Sequence, residues 1–233
     1  MCGRYSLAGG DLKRLRARFP IGESVELRRR FNVAPGDDVL AVTTTRDGTP
    51  RGELLRWGLV PAWSKDSRTA QKMINARAET LQQRPAYRPA FERFRCLIVA
   101  DGFYEWRRDE HGAKLPFHIT RADGEPFAFA GLWSAWHRGE PDELRSCTIV
   151  TTAANASIAP LHDRMPVILD RPNEDAWLDH GTPVAVLLDL LHGLPASETA
   201  LRPVGPAVND ARYDGPACLD DPPPAPVPQA ALF

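Results

Sequence analysis

The amino-acid sequence predicts an α+β fold with a core of curved, mostly antiparallel and barrel-like β-sheet, flanked by helices. Strand-like runs rich in apolar and β-branched residues occupy much of the chain, and short Asp-Gly or His-Gly turns separate several of them. Because turns this short join antiparallel neighbours, successive runs should lie side by side in a sheet. A few stretches with helical periodicity accompany the strands, which indicates helices packed around the sheet.

The individual elements follow from local patterns. Leu12, Leu15 and Phe19 repeat at helical spacing after Asp11, so a short amphipathic helix is expected directly after the N-terminus. The predicted strands are 39–45 and 52–57, which flank an Asp-Gly turn, followed by 95–100, 103–107, 116–121, 127–133 and 146–152. Further helices are predicted over 75–83, 172–178 and 183–192.

The chain is predicted to form one globular domain over residues 2–215 and a disordered tail over residues 216–233. Its 233 residues are 43% hydrophobic and 25% charged, which is ordinary for a globular protein. The tail contains the run Pro-Pro-Pro-Ala-Pro at 222–226 and shows no periodicity. No segment resembles a signal peptide or a membrane span, so we expect a cytoplasmic protein, nucleoid-associated in a bacterium, that does not bind membranes.

Charge and cysteine content narrow the function classes. A formal net charge of -1 excludes a uniformly basic surface, but 25 of the 29 cationic residues are arginines, whose planar guanidinium binds phosphate bidentately. A local phosphate-binding track fits this composition, as does a GC-rich genome that favours arginine codons. The cysteines at 2, 96, 147 and 218 are widely separated without a C-x-x-C motif, so neither a metal site nor a disulfide framework is indicated, and no cofactor is expected.

Cys2 is the most informative residue, because removal of Met1 would leave an α-amine and a thiol on the same residue. The amine titrates near pH ~8 and the thiol near ~8.5, so both are partly nucleophilic at neutral pH. An aldehyde can form an imine with the nitrogen, and the sulfur can then close a thiazolidine ring. The alternative is a frayed terminus, which is the usual state of first residues.

Two further residues are candidates for proton transfer. Glu105 lies among aromatic residues in the run 103–107, where burial would raise its pKa toward the range useful for a general acid or base. An edge strand that exposes Glu105 to water is the alternative. His162 lies in a proline-bracketed loop and can exchange protons near pH 7, with Arg164 nearby to hold an anion, or it can be an exposed bystander.

Asn75, Arg77 and Trp63 are weaker candidates. In the middle of a helix the side chains of Asn75 and Arg77 would point in different directions, so the two residues can serve one site only at the start of a helix. The alternative at that position is that Asn75 is only the N-cap of the helix. Trp57 and Trp63 flank a rigid turn. We expect Trp57 in the core, whereas Trp63 is either core or a stacking platform for an unpaired base.

Seven segments of the sequence resemble, in the same order, motifs of the SOS-response-associated peptidase (SRAP) family, and the resemblance covers residues 2 to about 210. The segments are Met1-Cys2-Gly3-Arg4, Phe31-Asn32-Val33-Ala34-Pro35-Gly36, Trp57-Gly58-Leu59-Val60-Pro61, Ile74-Asn75-Ala76-Arg77-Ala78-Glu79-Thr80, Asp101-Gly102-Phe103-Tyr104-Glu105-Trp106, Gly131-Leu132-Trp133 and His162-Asp163-Arg164-Met165-Pro166.

The resemblance implies a monomeric sensor of abasic sites in single-stranded DNA, which shields them in a covalent thiazolidine crosslink through Cys2 after removal of Met1. It implies lyase-type imine chemistry, with peptidase or autoprocessing activity as a further family property. The catalytic residues implied are Cys2 for the crosslink, Asn75 for positioning, Glu105 as acid or base at the Cys2 nitrogen, and His162 for proton transfer at the sugar. The DNA-binding residues implied are Arg4, Arg77 and Arg164 at phosphates, and Asn32, Trp63 and Thr151 along the strand.

Two other function classes fit parts of the sequence. A cysteine hydrolase would use the Cys2 thiolate as nucleophile and His162 as base, and it would tolerate a blocked nitrogen. A non-catalytic single-stranded DNA-binding module would keep its function without Cys2. Neither explains a cysteine at position 2 together with Glu105 and the arginines.

Overall fold

Short turns between apolar runs produce a strand-rich chain, as the sequence predicts. The computed structural model describes residues 2–9 and 12–224. Within these residues the strands are β1 (Tyr5–Leu7), β2 (Arg30–Val33), β3 (Asp38–Thr44), β4 (Pro50–Trp57), β5 (Asn75–Arg77), β6 (Arg95–Ala100), β7 (Gly102–Arg108), β8 (Lys114–Arg121), β9 (Phe127–Trp136), β10 (Leu144–Ala153), β11 (Arg164–Pro166), β12 (Ile168–Leu169) and β13 (Thr199–Pro203). The α-helices are α1 (Leu12–Arg18), α2 (Arg88–Arg93), α3 (Arg171–Leu178) and α4 (Val184–Asp189).

Five strands close into a barrel. The pairs β3–β4, β3–β6, β6–β9 and β9–β10 are antiparallel, and the parallel pair β10–β4 completes the circle. Because a closed sheet has no free edge, these strands need no other protection of their backbone groups. The barrel confirms the predicted α+β class with a curved, mostly antiparallel core.

A second sheet carries the N-terminal strand. Its order is β13-β8-β7-β1-β2, and all its pairs are antiparallel. Strand β1 therefore lies between β2 and β7, so the start of the chain is held inside a sheet. This arrangement fixes the backbone that follows Cys2.

Strand β3 shows how the two halves of the core meet. Val39 and Ala41 pack in one apolar cluster together with Cys2, whereas the alternate residues Leu40 and Val42 pack in a second cluster that contains residues of α1, α2 and α3. Successive side chains of a strand point to opposite faces, and here both faces are buried. The barrel wall thus separates the helices from the cluster that holds Cys2.

Three of the four predicted helical segments are confirmed. Helix α1 contains Leu12 and the buried Leu15, while Asp11 lies outside the described residues. Helix α4 falls within the predicted segment 183–192, and α3 matches 172–178 but begins one residue earlier. Asp170 caps α3 and accepts a hydrogen bond from the backbone N–H of Asn173. No helix of the described residues is long and apolar enough to cross a membrane.

The predicted helix over 75–83 is wrong. Asn75–Arg77 form β5, which pairs in parallel with residues 149–151 of β10, and only a short 3-10 turn follows at Ala78–Thr80. The pairing supplies backbone hydrogen bonds that a helix start would leave unsatisfied, so tertiary context overrides local propensity. Asn75 is consequently a strand residue and not an N-cap.

The first residues of the predicted tail pack against the domain. Pro216–Leu219 form a 3-10 turn, and Cys218 is fully buried in a small cluster with Tyr104, Val204 and Val208. This burial holds the segment against the second sheet despite its proline content. Residues 225–233 of the predicted tail lie outside the described residues.

Candidate active site

Cys2 is buried at the start of the chain. Its side chain has no exposed surface, and its Sγ lies 3.7 Å from the carbonyl oxygen of Arg4, to which the thiol donates. The Asn75 side chain donates from Nδ2 to the Cys2 carbonyl oxygen at 2.9 Å. Strand β1, which begins three residues later, continues into the second sheet. The terminus is therefore anchored rather than frayed.

Strand pairing places Glu105 close to this anchored end. The backbone N–H of Tyr104 donates to the Arg4 carbonyl at 3.0 Å, and Glu105 is the next residue of β7. Because β7 lies between β1 and β8, Glu105 is not on an edge strand, and only 4% of its surface is exposed. The alternative of a water-facing Glu105 is thereby excluded.

Burial controls the titration of Glu105. It raises the pKa of Glu105 to about 7, against the opposing positive charge of the amino terminus and with a smaller contribution from the negative charge of Asp163. A carboxyl group with this pKa is populated in both protonation states at neutral pH. Glu105 can therefore either accept or donate a proton there.

The Cys2 thiol stays protonated at neutral pH. Burial raises its pKa well above the ordinary value, the negative charge of Glu105 raises it further, and the charge of the amino terminus only partly opposes them. The sulfur therefore reacts only when a neighbouring group takes its proton.

His162 follows β10 in a loop that returns to β11. Its Nδ1 accepts the backbone N–H of Arg164 at 2.9 Å and lies 2.9 Å from a carboxylate oxygen of Asp163. Burial and the charge of the amino terminus lower the pKa of His162, while Asp163 opposes them. Nδ1 can accept the Arg164 N–H or, when protonated, donate to Asp163, and in the first case the neutral ring carries its proton on Nε2, where it can be donated.

Asn75 bridges the amino terminus and the wall of the barrel. Its backbone oxygen accepts a hydrogen bond from the Tyr87 hydroxyl at 3.1 Å. Its side-chain Oδ1 is buried and has no hydrogen-bond partner within the described part of the chain. A buried acceptor without a partner is costly, so this oxygen is available to a bound molecule.

Arg77 and Arg164 meet at the same edge of the barrel. Arg77 pairs with Thr151 across β5 and β10, and β11, which starts at Arg164, pairs with the other side of β10. Arg77 is exposed, whereas the guanidinium of Arg164 forms a two-pronged ion pair with Glu79 at 2.6 and 2.9 Å. A phosphate that binds Arg164 must therefore displace Glu79 or share the guanidinium with it.

Arg4 and Asn32 are tied to the C-terminal part of the chain. Arg4 donates to Asn32 Oδ1 at 3.3 Å and to the Val208 carbonyl at 3.0 Å, and burial lowers its pKa. Asn32 is 1% exposed, and its amide donates to the carbonyl oxygens of Asp210 and Tyr213. In this conformation Asn32 holds the C-terminal segment and does not present its side chain to the surface.

The two remaining predicted DNA-binding residues differ in exposure. Thr151 is fully buried, with its hydroxyl 3.5 Å from the Ala76 carbonyl. Trp63 is 67% exposed, whereas Trp57 is buried and donates to the Ile74 carbonyl. Trp57 therefore lies in the core, as expected, whereas Trp63, for which core and surface were both open, lies at the surface with an indole available for stacking.

Several contacts in this region have no counterpart in any sequence motif. Tyr87, Glu79 and the segment near Val208 are each far from their partners along the chain, and no motif connects them. Among the described residues the one group with metal-ligand spacing is His137, Glu140 and Asp142, whose ligand atoms lie within 4.8 Å of one another on a turn. Two of these three are exposed acidic residues, and such groups are common without an ion.

Solved structures share this fold. A protein from Bacteroides thetaiotaomicron superposes with a TM-score of 0.81 over 94% of this chain and 99% of that chain, at 23% sequence identity. A protein from Bordetella bronchiseptica superposes with a TM-score of 0.72 over 88% of this chain and all of that chain, at 27% identity.

Curated relatives cover between 71% and 94% of the chain. Abasic site processing protein YoqW of Bacillus subtilis is 38% identical over 224 residues, which are 94% of this chain and 99% of that protein. Abasic site processing protein YedK of Escherichia coli is 31% identical, over 92% of this chain and 97% of that protein. The HMCES protein of Xenopus tropicalis, also named abasic site processing protein, is 32% identical over 71% of this chain and 56% of that protein.

The model of the SOS response associated peptidase (SRAP) family matches residues 1–211. This match spans both sheets and every residue of the candidate active site. The chain belongs to the SOS response associated peptidase family.

Proposed function

We propose that the chain processes abasic sites in single-stranded DNA by trapping the sugar aldehyde in a thiazolidine crosslink with Cys2, after removal of Met1. The observation that carries the proposal is the anchored Cys2, whose carbonyl is held by Asn75 beside a buried Glu105 with a pKa of about 7. The names of the curated relatives support abasic-site processing as the biological role. Lyase-type imine chemistry follows from the same step.

The reaction begins with opening of the abasic sugar, which is mostly a closed hemiacetal. His162 Nε2–H donates its proton to the ring oxygen as the C1′–O4′ bond breaks, and the C1′ hydroxyl loses its proton to solvent, so that the C1′ aldehyde is released. Glu105 takes a proton from the Cys2 ammonium and leaves an uncharged amine. The amine adds to C1′, and protonated Glu105 returns its proton to the departing hydroxyl, so that loss of one water gives the protonated imine and leaves Glu105 ionised.

Ring closure then consumes the thiol. Ionised Glu105 takes the thiol proton, the Cys2 sulfur adds to the carbon of the protonated imine to form a C–S bond, and the electron pair of the C=N π bond moves onto the nitrogen. Because the pKa of the thiol is raised, closure requires a neighbouring base, and ionised Glu105 is suitably placed in charge and position. Holding amine, thiol and aldehyde together can supply effective molarities of about 10⁵ M or more, so weakly activated groups suffice.

Selectivity would come from two features of the site. Only an abasic sugar offers an aldehyde, and single-stranded backbone can bend toward a buried residue at low energetic cost. Phosphate contacts by Arg77 and Arg164 would position the strand without reading its sequence. The buried Asn75 Oδ1 would accept a hydrogen bond from the opened sugar.

A thiolate-based cysteine hydrolase is less well supported. Such enzymes lower the pKa of the thiol, whereas here burial and Glu105 raise it. Autoprocessing that exposes the Cys2 amine remains compatible with the proposal, because removal of Met1 is its first requirement.

The proposal is tested with an abasic single-stranded oligonucleotide and a denaturing gel. The mature protein should give an adduct that survives denaturation without reduction. Cys2→Ser keeps the amine but cannot close the thioether ring, so it should give an adduct only after borohydride reduction of the imine. Cys218→Ser is the matched control, and it should crosslink normally. A stable adduct from Cys2→Ser, or from protein with a tag before Cys2, would refute the proposal.

A further inference from the structure

A cavity lies away from Cys2, at the other end of the barrel. It has a volume of about 950 Å³ and is bounded by the β3–β4 turn, the end of α2, the β9–β10 turn and the start of β10. Arg145 of β10 lines it, whereas Thr151 of the same strand pairs with Arg77 at the candidate active site. At about 3.3 Å per residue the two places are about 20 Å apart.

The lining of this cavity is strongly cationic. Five arginines from four separate segments of the chain converge on it, namely Arg46, Arg51, Arg93, Arg138 and Arg145. The one carboxylate among the lining residues is Glu92, which already pairs with Arg88 at 3.1 Å. Like charges that converge without counter-charges repel one another, so a bound anion would lower the electrostatic energy of the lining.

Part of this charge is neutralised and part is not. Glu53 accepts a hydrogen bond from Arg145 at 2.8 Å and lies 3.7 Å from Arg51. Within the described part of the chain, Arg46, Arg93 and Arg138 form neither ion pairs nor side-chain hydrogen bonds, and the Nε of Arg145 is buried without an acceptor. Arg46, Arg93 and Arg138 are exposed, so their donors are open to a bound anion without the loss of an existing ion pair.

The aromatic wall indicates which kind of anion fits. Trp133 is only 6% exposed, the Arg145 guanidinium lies 4.3 Å from its ring centroid, and Phe94 packs edge-on at 5.1 Å. Trp133 is thus enclosed by Arg145 and Phe94 and offers little exposed ring surface to a base, which favours recognition through charge and hydrogen bonds. The volume is that of a small-molecule pocket and exceeds the need of a single phosphate.

We propose that this arginine pocket binds a compact anion with several phosphate groups, as found in inorganic tripolyphosphate or the polyphosphate chain of a nucleotide. Guanidinium forks bind phosphate oxygens bidentately, and three unpaired arginines match an anion with several charges. The site is separate from Cys2 and does not depend on the crosslinking function.

Titration calorimetry with inorganic tripolyphosphate, at low ionic strength and on the full chain, tests the proposal. Arg93→Gln combined with Arg138→Gln should weaken binding about 100-fold, about tenfold for each charge-assisted contact. Arg28→Gln combined with Arg29→Gln is the matched control, because it removes the same charge from exposed residues outside the pocket and should leave the Kd unchanged. Arg46→Gln alone provides a second, milder variant that should weaken binding about tenfold.

A nucleoside triphosphate distinguishes the two sources of the polyphosphate. If the nucleoside triphosphate binds with the same affinity as tripolyphosphate, the pocket recognises the phosphates alone. If it binds more tightly, and this binding is lost in the pocket variants, the pocket recognises a nucleotide. The absence of saturable tripolyphosphate binding, or an equal loss in both arginine pairs, would overturn the proposal. The proposal would also be overturned if binding of an undamaged thymidine oligonucleotide required Arg93 and Arg138 while tripolyphosphate did not bind.

Discussion

Replacing Glu105 by glutamine should make the protein more stable at alkaline pH and less active. The side chain is 4% exposed, and burial raises its pKa from 4.5 to about 7. That rise corresponds to about 3 kcal/mol of differential stabilisation of the protonated form. Glutamine has the same size and never ionises, so it avoids the cost of burying a charge.

The pH dependence follows from proton binding. Between about pH 4.5 and 7 the unfolded chain has lost a proton that the native chain retains, so stability falls as the pH rises through this window. The free energies of unfolding of wild type and Glu105→Gln should be nearly equal at about pH 4. At about pH 8 the variant should be more stable by up to about 3 kcal/mol.

Urea unfolding followed by tryptophan fluorescence measures this difference at each pH. Glu110→Gln is the control, because its carboxylate is exposed and the same substitution there should not alter the pH profile. In the crosslinking assay Glu105→Gln should be about 100-fold slower and should lose the rate change near pH 7. A difference in stability that is constant between about pH 4 and 8 would refute the burial of a protonated Glu105.

Three other perturbations have expected outcomes. His162→Ala should slow crosslinking about 100-fold by removing the donor at the sugar oxygen, and an unchanged rate would remove His162 from the chemistry. If Arg4, Arg77 and Arg164 each contact a phosphate, the affinity for undamaged single-stranded DNA should fall with salt with a log-log slope of about -2, and Arg77→Gln should reduce the slope by about 0.7. Asp214→Asn should lower the free energy of unfolding by about 2 kcal/mol, because the Asp214 carboxylate accepts hydrogen bonds from the N–H groups of Phe31 and Asn32 and pairs with Arg30. Urea unfolding measures this change, and a loss below about 0.5 kcal/mol would contradict the expectation.

Seven of the thirteen described strands could be predicted because their causes are local. Alternating apolar residues and Asp-Gly turns mark β3, β4 and β6 to β10 to within three residues of their observed bounds. The closure of the barrel could not be predicted, because the parallel pair β10–β4 joins residues that are far apart in the sequence. The segment 75–83 was misassigned for the same reason, since only the neighbouring β10 makes Asn75–Arg77 a strand.

The candidate site was predictable in its residue types but not in its contacts. Aromatic neighbours of Glu105 indicate burial, and the position of Cys2 indicates its chemistry. The hydrogen bond from Asn75 to the Cys2 carbonyl and the ion pair between Glu79 and Arg164 depend on how distant strands meet. Periodicity and motifs carry no information about such pairings.

The intact mass of the crosslinked product tests most directly whether nitrogen and sulfur of Cys2 act on one aldehyde carbon. The expected mass is that of the protein without Met1 plus the abasic oligonucleotide minus one water, obtained without a reducing agent and with no free thiol at Cys2. An adduct that retains Met1, or one in which the Cys2 thiol can still be alkylated, would contradict thiazolidine formation.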